Sequence, residues 1–414
     1  MVLTSDQAIG FGKAVTGGGA TEATSVADRA GLATMLDGLG NSDGPTVIEL
    51  QAGTYDFRPA NVTKKKFTLR AKQLTIRAQP GARVVLKNLQ LVLDLGRADN
   101  ILIQDLAFYS DGNDGEDAIL FDGEKGSRKL TSRVRVTRCS FDGYKDIAID
   151  SHSHQTLLLA TIDHCLFFDS RPGMPLSPLR PDGNRMVFPF VDRGAVNIAS
   201  VVLKSGKRTE GNSLVTVAFN VFVNVWRRCP RVAFQGNFGD IFNNIVYHWG
   251  AGNGDDSHEN GTDTWNGMSV GNQGTAVIQA NRFIPGEVTV VTENKSEQQT
   301  RTGKTIRLDS NPIVDIGTIG TKRLPNQFDG KAKAPTGTFR NLSTQRTNLY
   351  STVQLGAPPT VTSKTALGVA TNALTWATIV TDAGPAGTEG AGQKTPEKTN
   401  RNLVRTALGV TLVS

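Results

Sequence analysis

Residues 215–250 read VTVAFNVFVNVWRRCPRVAFQGNFGDIFNNIVYHWG. One short pattern occurs twice within them: a β-branched run, then Asn, any residue, and a large apolar residue. VTVAFNVF ends at Phe222 and DIFNNIV at Val246, which sets Asn220 and Asn244 in the key position, 24 residues apart. Upstream the pattern returns as LIQDLAF ending at Phe108, VRVTRCSF ending at Phe141 and ATIDHCLF ending at Phe167; downstream it is VIQANRF ending at Phe283. The key position is then Leu106, Cys139, Cys165, Asn220, Asn244 and Asn281, at intervals of 33, 26, 55, 24 and 37 residues.

Intervals near 25 residues, with short alternating strands between Gly, Asp and Ser turns, are the mark of a solenoid. A single coil cannot bury its apolar face, and stacking the coils makes one continuous core. The expected fold is all-β: a right-handed parallel β-helix of about seven to nine coils. The small polar residue of each repeat stacks inside a turn, where an Asn amide reaches the next coil. Cys139 and Cys165 fall in this ladder about 4.8 Å apart. Parallel Cβ vectors there disfavour a disulfide, so free buried thiols are expected. Three cysteines in 414 residues hold no disulfide framework.

Outside the repeats the chain changes character. Residues 24–40, TSVADRAGLATMLDGLG, read as an amphipathic helix with Ser25 as N-cap and a stop at Gly38 or Gly40. Such a helix in the 1–45 segment would cover the open end of the stack. Coils are expected over 46–329, broken by RPGMPLSPLRPDGNRMVFPFVDR at 171–193, whose five prolines make it an excursion and account for the 55-residue interval. The 330–414 extension, rich in Thr, Ala, Gly and Asn, suits loops and short helices packed along the side.

The formal charge of +7 and pI near 9.3 suit a polyanionic partner, though mildly for this length. No run approaches the ~20 apolar residues that span a bilayer. The opening MVLTSDQAIGFGKAV has neither the basic start nor the apolar run of a signal peptide. It suits either an intracellular chain or a mature form with an added Met1.

The 215–250 stretch resembles the pectate lyase family: a strand ending in an Asn-x-Phe turn, then Arg-x-Pro at Arg228–Pro230, then an Asn-Asn pair one coil later. GFGKAVTGGG at 10–19 and PTVIELQAGTY at 45–55 resemble the family's opening, so the likeness covers most of residues 9–285. The resemblance implies a secreted, monomeric lyase that cleaves an acidic polysaccharide (pectate or a related polyuronate) by β-elimination, with no nucleic acid or membrane partner. It implies Arg228 as the base, and calcium, held by acidic residues, to neutralise the uronate carboxylate. Arginine is an unusual base because its pKa exceeds ~12.

Calcium needs oxygen ligands converging from neighbouring coils. GEDAILF offers Asp117 and KDIAIDS offers Asp146 and Asp150, the last two four residues apart and so on one strand face. A second register treats TIDHC, residues 161–165, as the family's Trp-Ile-Asp-His-Cys coil. It puts the ligand positions at Arg193 and Asn197, a calcium-free site with Arg193 in place of the metal, but leaves few coils before Asn220. Two departures stand out. The family's second arginine is Ala233 here, which leaves substrate binding to Arg231 or Lys204, and its lysine is approximated by Arg171. His152, His154 and His164 lack zinc-site spacing. DGNDGED at 111–117 lacks the full calcium-loop pattern. Trp226, Trp249 and Trp265 are candidates to line a sugar-binding surface. A polysaccharide-binding β-helix without catalysis and a glycoside hydrolase, which needs paired carboxylates, are the rival functions.

Overall fold

The computed structural model describes residues 8–58, 64–110, 117–123, 130–144, 147–152, 156–168, 194–199, 211–223, 225, 228–247, 268–284, 287–292, 301–307, 313–320, 327–328, 343–355, 373–388 and 395–409. Its strands wind into a parallel β-helix with three faces. One face is a nine-stranded sheet running from Gly53–Asp56 to Gln327–Phe328. The other two are parallel stacks joined into one sheet by the twelve-residue strand Met268–Gln279, which shifts register between Gly271 and Thr275 and so serves both.

The repeat positions stack as the sequence pattern requires. Ser140, after Cys139, pairs with Ala107 and Leu166; Leu166 pairs with Val221, Val221 with Ile245, and Ile245 with Arg282. Cys165 and Asn220 therefore sit on successive coils, and the 55-residue interval is one coil. The Asn amides close the turns between coils. Asn220 Oδ1 accepts from Cys165 N at 2.8 Å, Asn244 Oδ1 from Asn220 N at 3.0 Å, and Asn281 Oδ1 from Asn244 N at 2.9 Å. The residue before each ladder position takes a left-handed backbone, from Asp105 and Arg138 through His164, Phe219, Asn243 and Ala280. The two ladder cysteines are free and buried, as expected, and so is Cys229.

Inside, Phe108, Phe141, Phe167 and Phe222 stack with centroids 4.9–5.2 Å apart. That spacing is the strand separation, so identical rings in one register stack without adjustment. Outside, ion pairs such as Arg77–Glu49, Arg133–Asp99 and Arg138–Asp105 join neighbouring coils. Each is worth ~0–1 kcal/mol where it is exposed.

The helix near the start runs Arg29–Gly38 and buries Leu32 and Leu36. Its N-cap is Asp28, whose carboxylate accepts from Gly31 N at 2.7 Å, and not Ser25. Ser25 lies in the strand Ala23–Val26, paired with Glu49, so the sheet takes the residue that could have capped the helix. The glycines of the opening motif let residues 9–18 run as a strap across six successive strands of the stack, from Thr216 to Thr46. Gly12 N donates to Thr161 Oγ1 at 2.9 Å and Gly18 N to Thr75 Oγ1 at 3.0 Å; a Cβ at Gly12 would stand 2.6 Å from the Val134 carbonyl. The helix Ser343–Thr352 locks this strap, with Tyr350 stacked 4.1 Å from Phe11. The helices Ala373–Asp382 and Pro396–Ala407 bury Trp376, Ile379 and Val404 against a cluster that includes Phe219 and Phe242.

Candidate functional site

On one face of the solenoid, strands 66–69, 90–94, 119–122, 147–152, 194–199, 231–233 and 268–279 follow one another. In a strand, alternate residues point outward. In Ile147–His152, Ile149 joins the core while Asp150 and His152 take the outer positions. Pairing carries the Asp150 position through the stack: Leu120, Asp150, Asn197, Arg231 and Ser269 lie in register on five successive coils. The His152 position carries Asp94 and Asp122 on the two preceding coils.

Asp150 is the centre of this arrangement. Its Oδ1 accepts from Asn197 Nδ2 at 2.8 Å and from Ser151 N at 2.8 Å, and its Oδ2 lies 3.0 Å from His152 Nε2. Burial alone would raise its pKa. The hydrogen bond and charge of His152, the Asn197 amide and the charge of Arg228 outweigh burial and hold it below the ordinary value. His152 moves the opposite way. Burial opposes the charged ring, but Asp150, then Asp117 and Asp122, raise its pKa. The carboxylate is sealed, with 7% of its side chain exposed, whereas the His152 side chain is 37% exposed.

Arg228, at the bend before Arg231–Ala233, has a left-handed backbone (φ 59°) and is 7% exposed. Its carbonyl accepts from Val196 N at 2.9 Å, which ties the bend to the preceding coil. Its charge acts on Asp150, two coils upstream, while half-buried Arg231 occupies the outer rung beside Asn197. Ala233, where the family resemblance would place a second arginine, is fully buried.

Not every expected site residue comes to this place. Asp117 is buried on the coil before Asp150, but its carboxylate accepts from Ile147 N at 3.3 Å and from Gln90 Nε2 at 3.4 Å. Ile147 precedes Asp150 by three residues, which is ~10 Å along a strand. One calcium ion takes oxygens at ~2.3–2.6 Å, too short to bridge that span. Asp146, Arg171, Lys204, Arg193, His154, Trp226, Trp249, Trp265 and residues 111–116 lie outside the described residues. Among the described residues no group of three His, Cys, Asp or Glu side chains is placed to hold a metal. The donors around Asp150 are one carboxylate and one amide, with His152 and Arg228 where calcium would need further oxygens. This set does not fit calcium.

His164 is apart from this site. It lies 1% exposed on another face, bonded through Nδ1 to Asp163 at 3.0 Å and stacked on Phe219. Asp163 in turn holds Arg135 through two bonds, a buried structural pair. The sequence reading passed over His152 as a partner of Asp150. The signal was the alternation Asp-Ser-His, which places the first and third residues on one strand face.

No family model and no curated protein matches the chain. Solved structures do. A doubly substituted variant of a pectate lyase from Xanthomonas campestris is 18% identical over 92% of this chain and 98% of its own, with a TM-score of 0.53. A pectate lyase bound to a hexasaccharide is 13% identical over 93% of this chain and 98% of its own, at 0.54. Jun a 1, the major allergen from cedar pollen, is 16% identical over 92% and 93%, also at 0.54. Identity at this level speaks to architecture and not to chemistry, and with the stacked parallel sheets described above it shows that the chain has the right-handed parallel β-helix fold that these solved structures share.

Proposed function

We propose that this protein is a polysaccharide lyase that cleaves an acidic uronan, pectate or a related polyuronate, by β-elimination. The observation that carries this reading is the rung Asp150–Asn197–Arg231 with Arg228 at the adjoining bend, on one outer face of a β-helix. A carbon acid next to a carboxylate is weak, so charge building on that carboxylate in the transition state needs cations already in place. Arg231 supplies one from the outer rung, in the bidentate form that matches a carboxylate. Arg171 and Lys204 are the further substrate-binding candidates, from the sequence alone. Arg228 is the proposed base: its guanidinium must first give a proton to water, and the neutral guanidine nitrogen then takes the proton from C5 of the uronate.

Because the described donors do not fit calcium, the reading uses the protein's own cations for neutralisation. A calcium-dependent version requires Asp146 to join Asp117 at the start of the Asp150 strand. The polymer substrate places the working enzyme outside the cell. Among the described residues no helix is long and apolar enough to cross a membrane.

The test is ultraviolet absorbance at the unsaturated-uronate band during incubation with polygalacturonate, methyl-esterified pectin and other uronans. A rise on at least one is expected. A second reading, binding without catalysis, draws on the burial of Arg228 and of Asp150, whose opposite charges stabilise one another; it predicts retained binding and no absorbance change.

A further inference from the structure

The amide oxygen of Asn197 lies in the row Asp150–Asn197–Arg231 and has no part in the proton transfer above. We propose that Asn197 Oδ1 is a specificity determinant: it accepts a hydrogen bond from a ring hydroxyl of the uronate whose carboxylate Arg231 holds. This rests on the reading above that an acidic uronan lies on this face, and not on its cleavage.

Four features support it. Val196 and Ile198 join the core, so Asn197 between them takes an outer position. Its Nδ2 donates to Asp150 Oδ1 at 2.8 Å, and that oxygen also accepts from Ser151 N at 2.8 Å. Asp150 Oδ1 therefore faces the amide as an acceptor, which fixes the amide nitrogen toward Asp150 and turns Asn197 Oδ1 away from it. Away from Asp150 the row leads to Arg231, the register partner of Asn197 on the next coil. Asn197 is 6% exposed, and among the described residues its Oδ1 has no hydrogen-bond donor. Native proteins leave few buried acceptors unpaired, and this one stands beside the cation that meets the substrate.

The chemistry of the oxygen limits what it can take. An amide carbonyl accepts and never donates, so a carboxylate, a methyl ester or an acetyl group offers it nothing, whereas a hydroxyl does. Successive rungs lie about 4.8 Å apart, roughly the span of one sugar ring. A uronate with its carboxylate on Arg231 thus lays its C2 or C3 hydroxyl toward Asn197. The ligand class is a uronan with that hydroxyl unsubstituted. A ligand lacking it leaves the oxygen buried and unpaired, and a site built around a hydroxyl rejects such an analogue more strongly than an apolar pocket rejects a change of size. Asn197 touches no reacting atom, so its effect is on which sugar is accepted.

The experiment sets wild type and Asn197→Ala against oligouronides with every hydroxyl free, and against matched oligouronides in which the C2 or the C3 hydroxyl is replaced by hydrogen. Affinity is read by isothermal titration calorimetry and turnover by the unsaturated-uronate band. Wild type is expected to lose at least about tenfold in affinity and in kcat/KM on one of the two deoxy series. Asn197→Ala should lose a similar factor on the full oligouronide and nothing further on that deoxy series, the signature of one shared contact. A loss in Asn197→Ala that is the same on every substrate would leave Asn197 as a support for Asp150 alone and overturn the inference. Unsaturated product from wild type with equal performance on full and deoxy substrates would mean that the oxygen meets only water; it overturns the inference and leaves the lyase reading standing. Discrimination in binding without any product keeps the contact and removes the lyase reading, and no binding to any oligouronide removes both. If Asn197→Ala does not fold, Asn197→Ser carries the same comparison.

Discussion

The side chains of Asp150 and His152, two residues apart on one outward strand face, are joined through Oδ2 and Nε2 at 3.0 Å. The pair has a defined effect on stability. Asp150 has a lowered folded pKa, so its contribution is present above its unfolded value of about 3.9 and fades as pH falls through the folded one. His152 has a raised folded pKa, so its contribution is full below about 6.5 and is lost as pH rises through the folded value. The expected result is a stabilising window between about pH 4 and 6.5, measured as wild type minus His152→Gln by urea denaturation across pH. A difference that is flat from pH 4 to 9 would contradict the pairing.

Arg228→Lys keeps a positive charge but loses the planar fork and its reach. Turnover is expected to drop ~10²–10⁴-fold, with thermal stability within a few degrees of wild type, because the carbonyl of residue 228 still accepts from Val196 N. Near-wild-type turnover with reduced stability would assign Arg228 to a structural ion pair with Asp150.

Metal removal separates the two chemical versions of the site. With His152, Asn197 and Ser151 already donating to Asp150, activity is expected to survive EDTA and to gain little from added calcium. Loss of activity in EDTA with recovery on calcium addition would restore the Asp117, Asp146 and Asp150 ligand set.

Asn244 is the most connected rung of the interior ladder. Its Oδ1 accepts from Asn220 N and Nδ2, and its Nδ2 donates to Val217 O at 2.9 Å and Asn281 Oδ1 at 2.8 Å. Asn244→Ala strips these partners from buried groups, each costing ~1–3 kcal/mol when left unsatisfied. A total loss of about 3–5 kcal/mol is expected by chemical denaturation. Leu130→Ser, at a position 45% exposed, should change stability by less than about 0.5 kcal/mol. Similar small effects from both would mean the ladder is not what fastens the coils.

Much of this architecture was legible in the residues. The spacing of Leu106, Cys139, Cys165, Asn220, Asn244 and Asn281 determined the stacking, because each coil must repeat one turn geometry to keep its strands in register. The large apolar residue two positions beyond each of them determined the Phe108–Phe141–Phe167–Phe222 stack for the same reason. The N-cap went to Asp28 because pairing with Glu49 claimed Ser25, a competition that a helix motif read alone does not contain. The site depended still more on tertiary structure. Asp150, Asn197 and Arg231 are separated by 47 and 34 residues, and only strand register brings them onto one rung. Register also divided Asp117 from Asp150, since an offset of three residues along neighbouring strands is invisible in a list of acidic residues. Local pattern determines which face a side chain takes; which side chains then meet is set by how many residues each intervening turn consumes, and that count is decided when the coils close on one another.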